Sequence, residues 1–163
     1  MENRPIIKLE LTTIDRMLEI IGSTFVLVIW IITLTNYFKL PEIIPIHFNA
    51  AGEADGFGNK TNIFLFPVIA TIIYAGLTII NRYPHLFNFP TKITEENAMR
   101  QYIIATQMVR YLKLMVVVIF GFIVFKTVQN ANGQAVGIGS WFLLISLGII
   151  FIPMIYSIIK LSR

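Results

Sequence analysis

The side chains best suited to chemistry lie in one short stretch, Leu40 to Lys60, between two long apolar runs. The candidate site residues within it are His47, Asn49, Glu53, Asp55 and Lys60. One imidazole and two carboxylates are enough donors, in number, to bind a divalent metal ion. The spacing of His47, Glu53 and Asp55 matches no standard metal motif, however. The sequence therefore predicts no metal ion and no other cofactor, and these three side chains remain only weak candidates for ligands.

Three further roles are open for the polar side chains of this stretch. They can be solvated or serve the turns and the backbone, as most polar loop residues do. Glu53 or Asp55 can instead form an ion pair with Lys60 or Lys126 and hold the loop on the helix ends. In the third role the candidate residues recognise a ligand or a partner protein.

The local sequence of the stretch predicts a short β-hairpin-like loop. Residues 46–49 alternate between apolar and polar side chains, as a half-buried strand does. Gly52 and the Asp55-Gly56 pair favour turns. We expect Ile46, Phe48 and Phe57 to dock the hairpin on the ends of the neighbouring helices.

The apolar runs around this loop predict a membrane protein. Of the 163 residues, 56% are hydrophobic and 13% are charged, whereas soluble domains carry about 25% charged residues. The uncharged run Ile20 to Phe38 can cross a hydrocarbon core of about 30 Å as a helix. Similar runs predict four spans, at about residues 18–38, 62–81, 111–129 and 140–160. The predicted fold is an all-α membrane protein, one four-span domain over residues 1–163, with a short extracytoplasmic hairpin between helices 1 and 2.

Positive charge is unevenly divided between the two sides of these spans. Of the 13 lysines and arginines, only Lys39, Lys60 and Lys126 fall on the side of the hairpin, and the other ten fall on the opposite side. The positive-inside rule then places both termini in the cytoplasm and the hairpin outside. The net charge of +4 is therefore a topology signal and does not indicate nucleic-acid binding. The predicted location is the bacterial cytoplasmic (inner) membrane, where the chain is multi-pass.

Two helix starts can be located from capping patterns. Thr12 and Asp15 match a capping box that begins the first helix. Thr94, followed by two acids and then by a run without glycine or proline, predicts a helix that begins near Thr94 and continues into the third span. On that helix Lys113 and Lys126 are expected to snorkel, or Lys126 to find a partner. Residues 1–11 show no helical pattern and are expected to be loosely ordered.

The stretch also resembles a known motif. The matching residues are Leu40, Pro41, Ile44, Pro45, His47, Phe48, Asn49, Gly52, Asp55, Gly58 and Lys60. This pattern is similar to the hallmark of a bacterial membrane domain of unknown function. The same domain forms the N-terminal part of SdpI-type immunity proteins, which protect cells from a membrane-acting sporulation-delay toxin. The resemblance covers roughly residues 20–80. It implies a membrane location and no catalytic residues.

Taken together, the sequence favours a non-enzymatic binding, immunity or signalling module. Its expected partners are the lipid bilayer and an envelope peptide, toxin or partner membrane protein. No acidic residue, histidine or arginine is predicted at mid-bilayer, where ion-coupled transporters usually need such groups. With no cysteine, thiol catalysis and thiolate metal sites are excluded. The alternatives are a membrane-embedded enzyme or metal site at the outer loop, and a transporter subunit.

Overall fold

A computed structural model describes residues 4–163 and contains four long helices and one hairpin. The helices are α1 (Thr13–Tyr37), α2 (Leu65–Ile80), α3 (Ala98–Ala131) and α4 (Phe142–Leu161). The strands β1 (Ile43–Phe48) and β2 (Ala54–Asn59) form an antiparallel hairpin between α1 and α2. All four helices, α2 together with the 3₁₀ turn Lys60–Phe64 before it, are long and apolar enough to cross a membrane. The predicted fold class is thus confirmed, and the chain is a multi-pass membrane protein.

The two ends of the bundle differ in what covers them. We call the end that carries the hairpin and the α3–α4 loop the hairpin side. The opposite end carries residues 4–12, the α2–α3 connection and the end of α4, and we call it the terminal side.

The first helix begins as its capping pattern predicts. The backbone N–H of Thr12 donates to Asp15 Oδ2 at 2.9 Å, and the N–H of Asp15 donates to Thr12 Oγ1 at 3.2 Å. These two bonds satisfy N–H groups that a helix start leaves without partners. Ahead of this cap, residues 4–11 are not loosely ordered as expected. Ile7 and Leu9 pack against the buried cluster of Ile93, Ala98 and Tyr102, and the Tyr102 hydroxyl donates to the Pro5 carbonyl. Residues 1–3 lie outside the described part of the chain.

The third helix is continuous, as predicted, but it begins later than predicted. It runs unbroken from Ala98 to Ala131. The Asn97 side chain accepts a hydrogen bond from the Thr94 N–H and donates one to the Lys92 carbonyl. These bonds hold residues 95–97 as a turn, so the helix starts at Ala98 and not at Thr94.

The core of the bundle lies between α1, α2 and α3. Ile29, Ala70, Val117 and Val124 form a buried apolar layer there. Trp30 donates to Thr71 Oγ1 at 3.0 Å, which joins α1 to α2. In contrast, α4 packs mainly on α3, and Leu161 is its one buried residue.

Candidate functional site

The hairpin pairs its polar side chains locally. His47 lies opposite Gly56 in the strand register, and irregularities flank it on both sides. Its Nδ1 lies 2.5 Å from Asp55 Oδ1, and both side chains are largely exposed. The pair therefore presents a hydrogen-bonded imidazole and carboxylate on the surface of the hairpin.

Glu53 joins a different residue. The Asn49 Nδ2 group donates to Glu53 Oε2 at 3.1 Å, and the Glu53 N–H donates to Asn49 Oδ1 at 3.0 Å. Glu53 is thus tied to Asn49 across the tip, while His47 is tied to Asp55. Among residues 4–163 no three His, Asp or Glu side chains are grouped closely enough to hold a metal ion. His47, Glu53 and Asp55 therefore do not converge as a metal site at this loop would require.

Lys60 and Lys126 contact residues other than Glu53 and Asp55. Lys60 Nζ lies 2.8 Å from Glu42 Oε1 and 5.6 Å from the centre of the Tyr37 ring. Lys126 Nζ lies 5.9 Å above the Phe122 ring. The predicted ion pair between Glu53 or Asp55 and one of these lysines is therefore not formed. Lys60 instead fastens the base of the hairpin.

The hairpin is docked on the bundle mainly by Ile44, and of the three expected anchors only Phe48 is half-buried. Ile44 is fully buried and clusters with Leu40, Ile63 and Val128. Phe57 is 60% exposed and Ile46 is 38% exposed, so the expectation that they anchor the hairpin is wrong. The strand pairing is irregular on both sides of His47. A one-residue offset in pairing moves the following side chains to the opposite face of the hairpin. Docking therefore depends on the base of β1.

The tip of the hairpin is locked to the α3–α4 loop. The Gly52 carbonyl accepts a 2.6 Å hydrogen bond from the Ile138 N–H. A Cβ atom at Gly52 would lie only 2.4 Å from the Gly139 carbonyl oxygen, and the φ angle of Gly52 is +79°. Asn130 holds the loop from the other side through two hydrogen bonds to Gly137. Only glycine fits at position 52, because the backbones of the hairpin tip and the α3–α4 loop approach each other so closely there.

A groove of about 390 Å³ opens beside the docked hairpin. Its walls are mostly apolar and come from the hairpin, α2, α3 and the start of α4. They include Ile46, Phe48, Phe66, Ile123, Phe142 and Leu143. Its polar lining residues are His47 and Asn49, and each is hydrogen-bonded to a carboxylate, of Asp55 and Glu53 respectively. Two of the candidate residues from the sequence, His47 and Asn49, therefore line this groove, and Lys60 lies apart. We call Glu53 and Asp55 the rim carboxylates, because each is bonded to one of these two lining residues.

A buried ion cluster on the terminal side escaped the sequence analysis. Lys113 has no exposed side-chain surface and donates at 2.6 Å both to Glu19 Oε2 and to Thr78 Oγ1. Arg110 Nη1 lies 3.3 Å from Asp15 Oδ1, and its Nε lies 3.4 Å from Glu19 Oε1. The expectation that Lys113 snorkels is wrong, because it has a carboxylate and a hydroxyl within the bundle.

The ion cluster joins three helices without net charge. Its two acids lie one helical turn apart on α1, and its two bases lie three residues apart on α3. These spacings place each pair on one helix face, which is the signal that could have predicted the cluster. The apolar layer of Ile29, Ala70, Val117 and Val124 lies between the cluster and the hairpin side.

Comparisons with known proteins support the domain and leave the function open. Residues 24–71 match the family model DUF1648, described as a domain of unknown function. The chain is 33% identical over 100 residues to an uncharacterized protein of Archaeoglobus fulgidus, a match that covers 53% of this chain and 55% of the archaeal protein. The chain therefore spans about half the length of this relative. No solved structure matches the chain.

Proposed function

We propose that this protein is a single four-span membrane module, without enzymatic activity, that binds a cationic amphipathic peptide in the groove beside the hairpin. The peptide comes from the envelope side, as a toxin or as a segment of a partner membrane protein. Binding serves immunity or signalling. The groove itself carries this proposal, because its apolar walls and its two rim carboxylates suit a ligand with apolar and basic side chains.

The charges at the rim support a basic ligand. Within residues 4–163 no lysine or arginine pairs with Glu53, which is bonded only to the neutral Asn49 amide. Among the described residues, the Asp55 carboxylate is bonded only to His47. A peptide that brings lysines to this rim would neutralise both carboxylates, while its apolar face would enter the groove. The locked tip and the buried Ile44 favour binding because they hold the groove open before the ligand arrives.

The proposed orientation places the hairpin outside and both termini in the cytoplasm. It rests on the uneven distribution of lysine and arginine and on the positive-inside rule. In this orientation the groove faces the envelope, as the proposed ligand requires. The terminal side, with the ion cluster beneath it, faces the cytoplasm.

Labelling of single cysteines tests the orientation. Since the chain has no cysteine, one can be placed at Ala51, Asn132 or Glu95, all of which are exposed. Gln101 is unsuitable because it is buried. A membrane-impermeant thiol reagent added to intact cells should label the first two positions and should reach Glu95 only after the cells are opened. The reverse pattern would place the hairpin in the cytoplasm.

Neutralising the rim carboxylates tests the charge of the ligand. Cells that express the Asp55→Asn or Glu53→Gln variant should lose protection against, or response to, a synthetic amphipathic peptide of lysine and leucine. Exposed single charges contribute at most about 1 kcal/mol to stability, so both variants should insert and fold normally. Glu42→Gln is the matched control, because it removes a carboxylate on the same side whose partner, Lys60, does not line the groove. Equal responses of all three variants and the wild type would refute the rim as a recognition element.

A further inference from the structure

We infer that a second groove, on the terminal side between α1, α3 and α4, is a binding site for one anionic phospholipid of the adjoining leaflet. The groove measures about 270 Å³. It exists because α4 packs mainly on α3, which leaves a gap between the terminal-side halves of α1 and α4. In the proposed orientation this leaflet is the cytoplasmic one. The site does not depend on the peptide groove at the other end of the bundle.

The lining of this groove changes from apolar to polar along the bundle axis. Leu18, Leu112 and Ile150 line its deeper part, towards the middle of the spans. Its mouth on the terminal side adds the polar Gln107, Ser157 and Lys160 to the apolar Ile14 and Ile104. A glycerophospholipid has the same order of groups, with acyl chains towards the bilayer centre and a polar headgroup at the interface.

The charge at the mouth selects an anionic headgroup. Lys160 Nζ lies 4.7 Å from the centre of the Tyr156 ring, which orients the ammonium group at the mouth. Arg100 Nη2 donates at 3.2 Å to the Lys160 carbonyl, so a second cation lies at the same helix end. In the described part of the chain, neither side chain forms an ion pair with a carboxylate. A phosphate-bearing headgroup would supply the missing negative charge.

The mouth is also held in place by the α2–α3 connection and the start of α3. Gln101 Nε2 and Thr91 Oγ1 each donate at 3.2 Å to the Leu161 carbonyl at the end of α4. With Arg100 they fix the position of α4 relative to α3 at the depth of the headgroup. A site of fixed width loses less conformational freedom when a lipid binds, which favours one ordered lipid over a mobile annulus.

Native mass spectrometry can test the proposed headgroup preference. The protein is released from micelles that contain equal amounts of phosphatidylglycerol and phosphatidylcholine. The wild type should retain one phosphatidylglycerol in preference to phosphatidylcholine. Lys160→Gln should reduce that preference roughly fivefold, as expected for one basic residue at a membrane surface. The matched control Arg82→Gln removes an exposed positive charge of the terminal side that does not line the groove, and it should keep the preference.

Filling the groove tests its position independently of charge. Ser157→Trp should abolish the retained lipid, because Ser157 lines the mouth. Ile159→Trp should retain it, since Ile159 is exposed on the same helix end and does not line the groove. A wild type without a retained lipid, equal preferences in Lys160→Gln and Arg82→Gln, or a lipid retained by Ser157→Trp would each overturn the inference.

Discussion

Replacing Lys113 with methionine should lower the free energy of unfolding by about 3–5 kcal/mol, the cost of removing one partner of a buried ion pair. The Lys113 side chain is fully buried, and its loss would leave Glu19 without its closest cation. The ion cluster would then carry a net negative charge at the end of the spans. The loss can be measured by unfolding the protein in mixed micelles.

Two controls separate the ion pair from a general effect of losing charge. Lys126→Met removes the same group from the same helix, but within residues 4–163 the Lys126 side chain has only a ring contact with Phe122. This variant should therefore lose about 1 kcal/mol of stability or less. The double variant Glu19→Gln, Lys113→Met restores neutrality and should recover much of the loss, because both partners are then removed. Equal losses in Lys113→Met and Lys126→Met, or no recovery in the double variant, would contradict the role of the cluster.

Replacing Gly52 with alanine should release the hairpin tip from the α3–α4 loop. The added Cβ would lie 2.4 Å from a backbone oxygen, so one of the two backbones must move. The positive φ angle adds about 1–2 kcal/mol of strain. The 2.6 Å bond from Ile138 should break, and the hairpin should become accessible to proteases. The melting temperature in detergent and the rate of cleavage within residues 49–55 measure this effect.

Gly133 provides the matched control for this substitution. Its φ angle of +71° is similar, but a Cβ there would meet no atom within 4 Å. Gly133→Ala should therefore show the conformational strain alone and should leave the hairpin resistant to proteases. If the two variants behaved alike, the lock between the tip and the loop would not contribute to the stability of the hairpin.

Elements that depend on local sequence could be predicted well. The four spans follow from uninterrupted apolar runs, and the start of α1 follows from the Thr12–Asp15 capping box. The hairpin follows from residue alternation and turn formers around Gly52. Even so, the sequence predicts Ile46, Phe48 and Phe57 as the anchors and misses Ile44, because irregular pairing around His47 changes which face each residue occupies.

Features that depend on distant residues could not be predicted in the same way. Lys113 meets Glu19 across 94 residues of chain, and Gly52 meets Ile138 only after the hairpin and the α3–α4 loop have docked. The paired acids on α1 and the paired bases on α3 each mark a helix face, but the sequence does not say that these two faces meet. Gly52 and Ile138 leave no such pattern. The groove beside the hairpin likewise forms only when the hairpin, α2, α3 and α4 have packed together. Its apolar lining residues, such as Phe66, Ile123 and Leu143, show no pattern in the sequence that marks them as part of a site.

The central claim, that the groove beside the hairpin binds a cationic amphipathic peptide, is tested most directly by equilibrium binding. A fluorescent peptide of lysine and leucine is titrated with the protein in nanodiscs, and the signal from empty nanodiscs is subtracted. Ala50 lines the groove, whereas its exposed neighbour Ala51 does not. Saturable binding that is lost in Ala50→Trp and kept in Ala51→Trp is the predicted result. Binding no greater than to empty nanodiscs, or equal binding by both variants, would contradict the account.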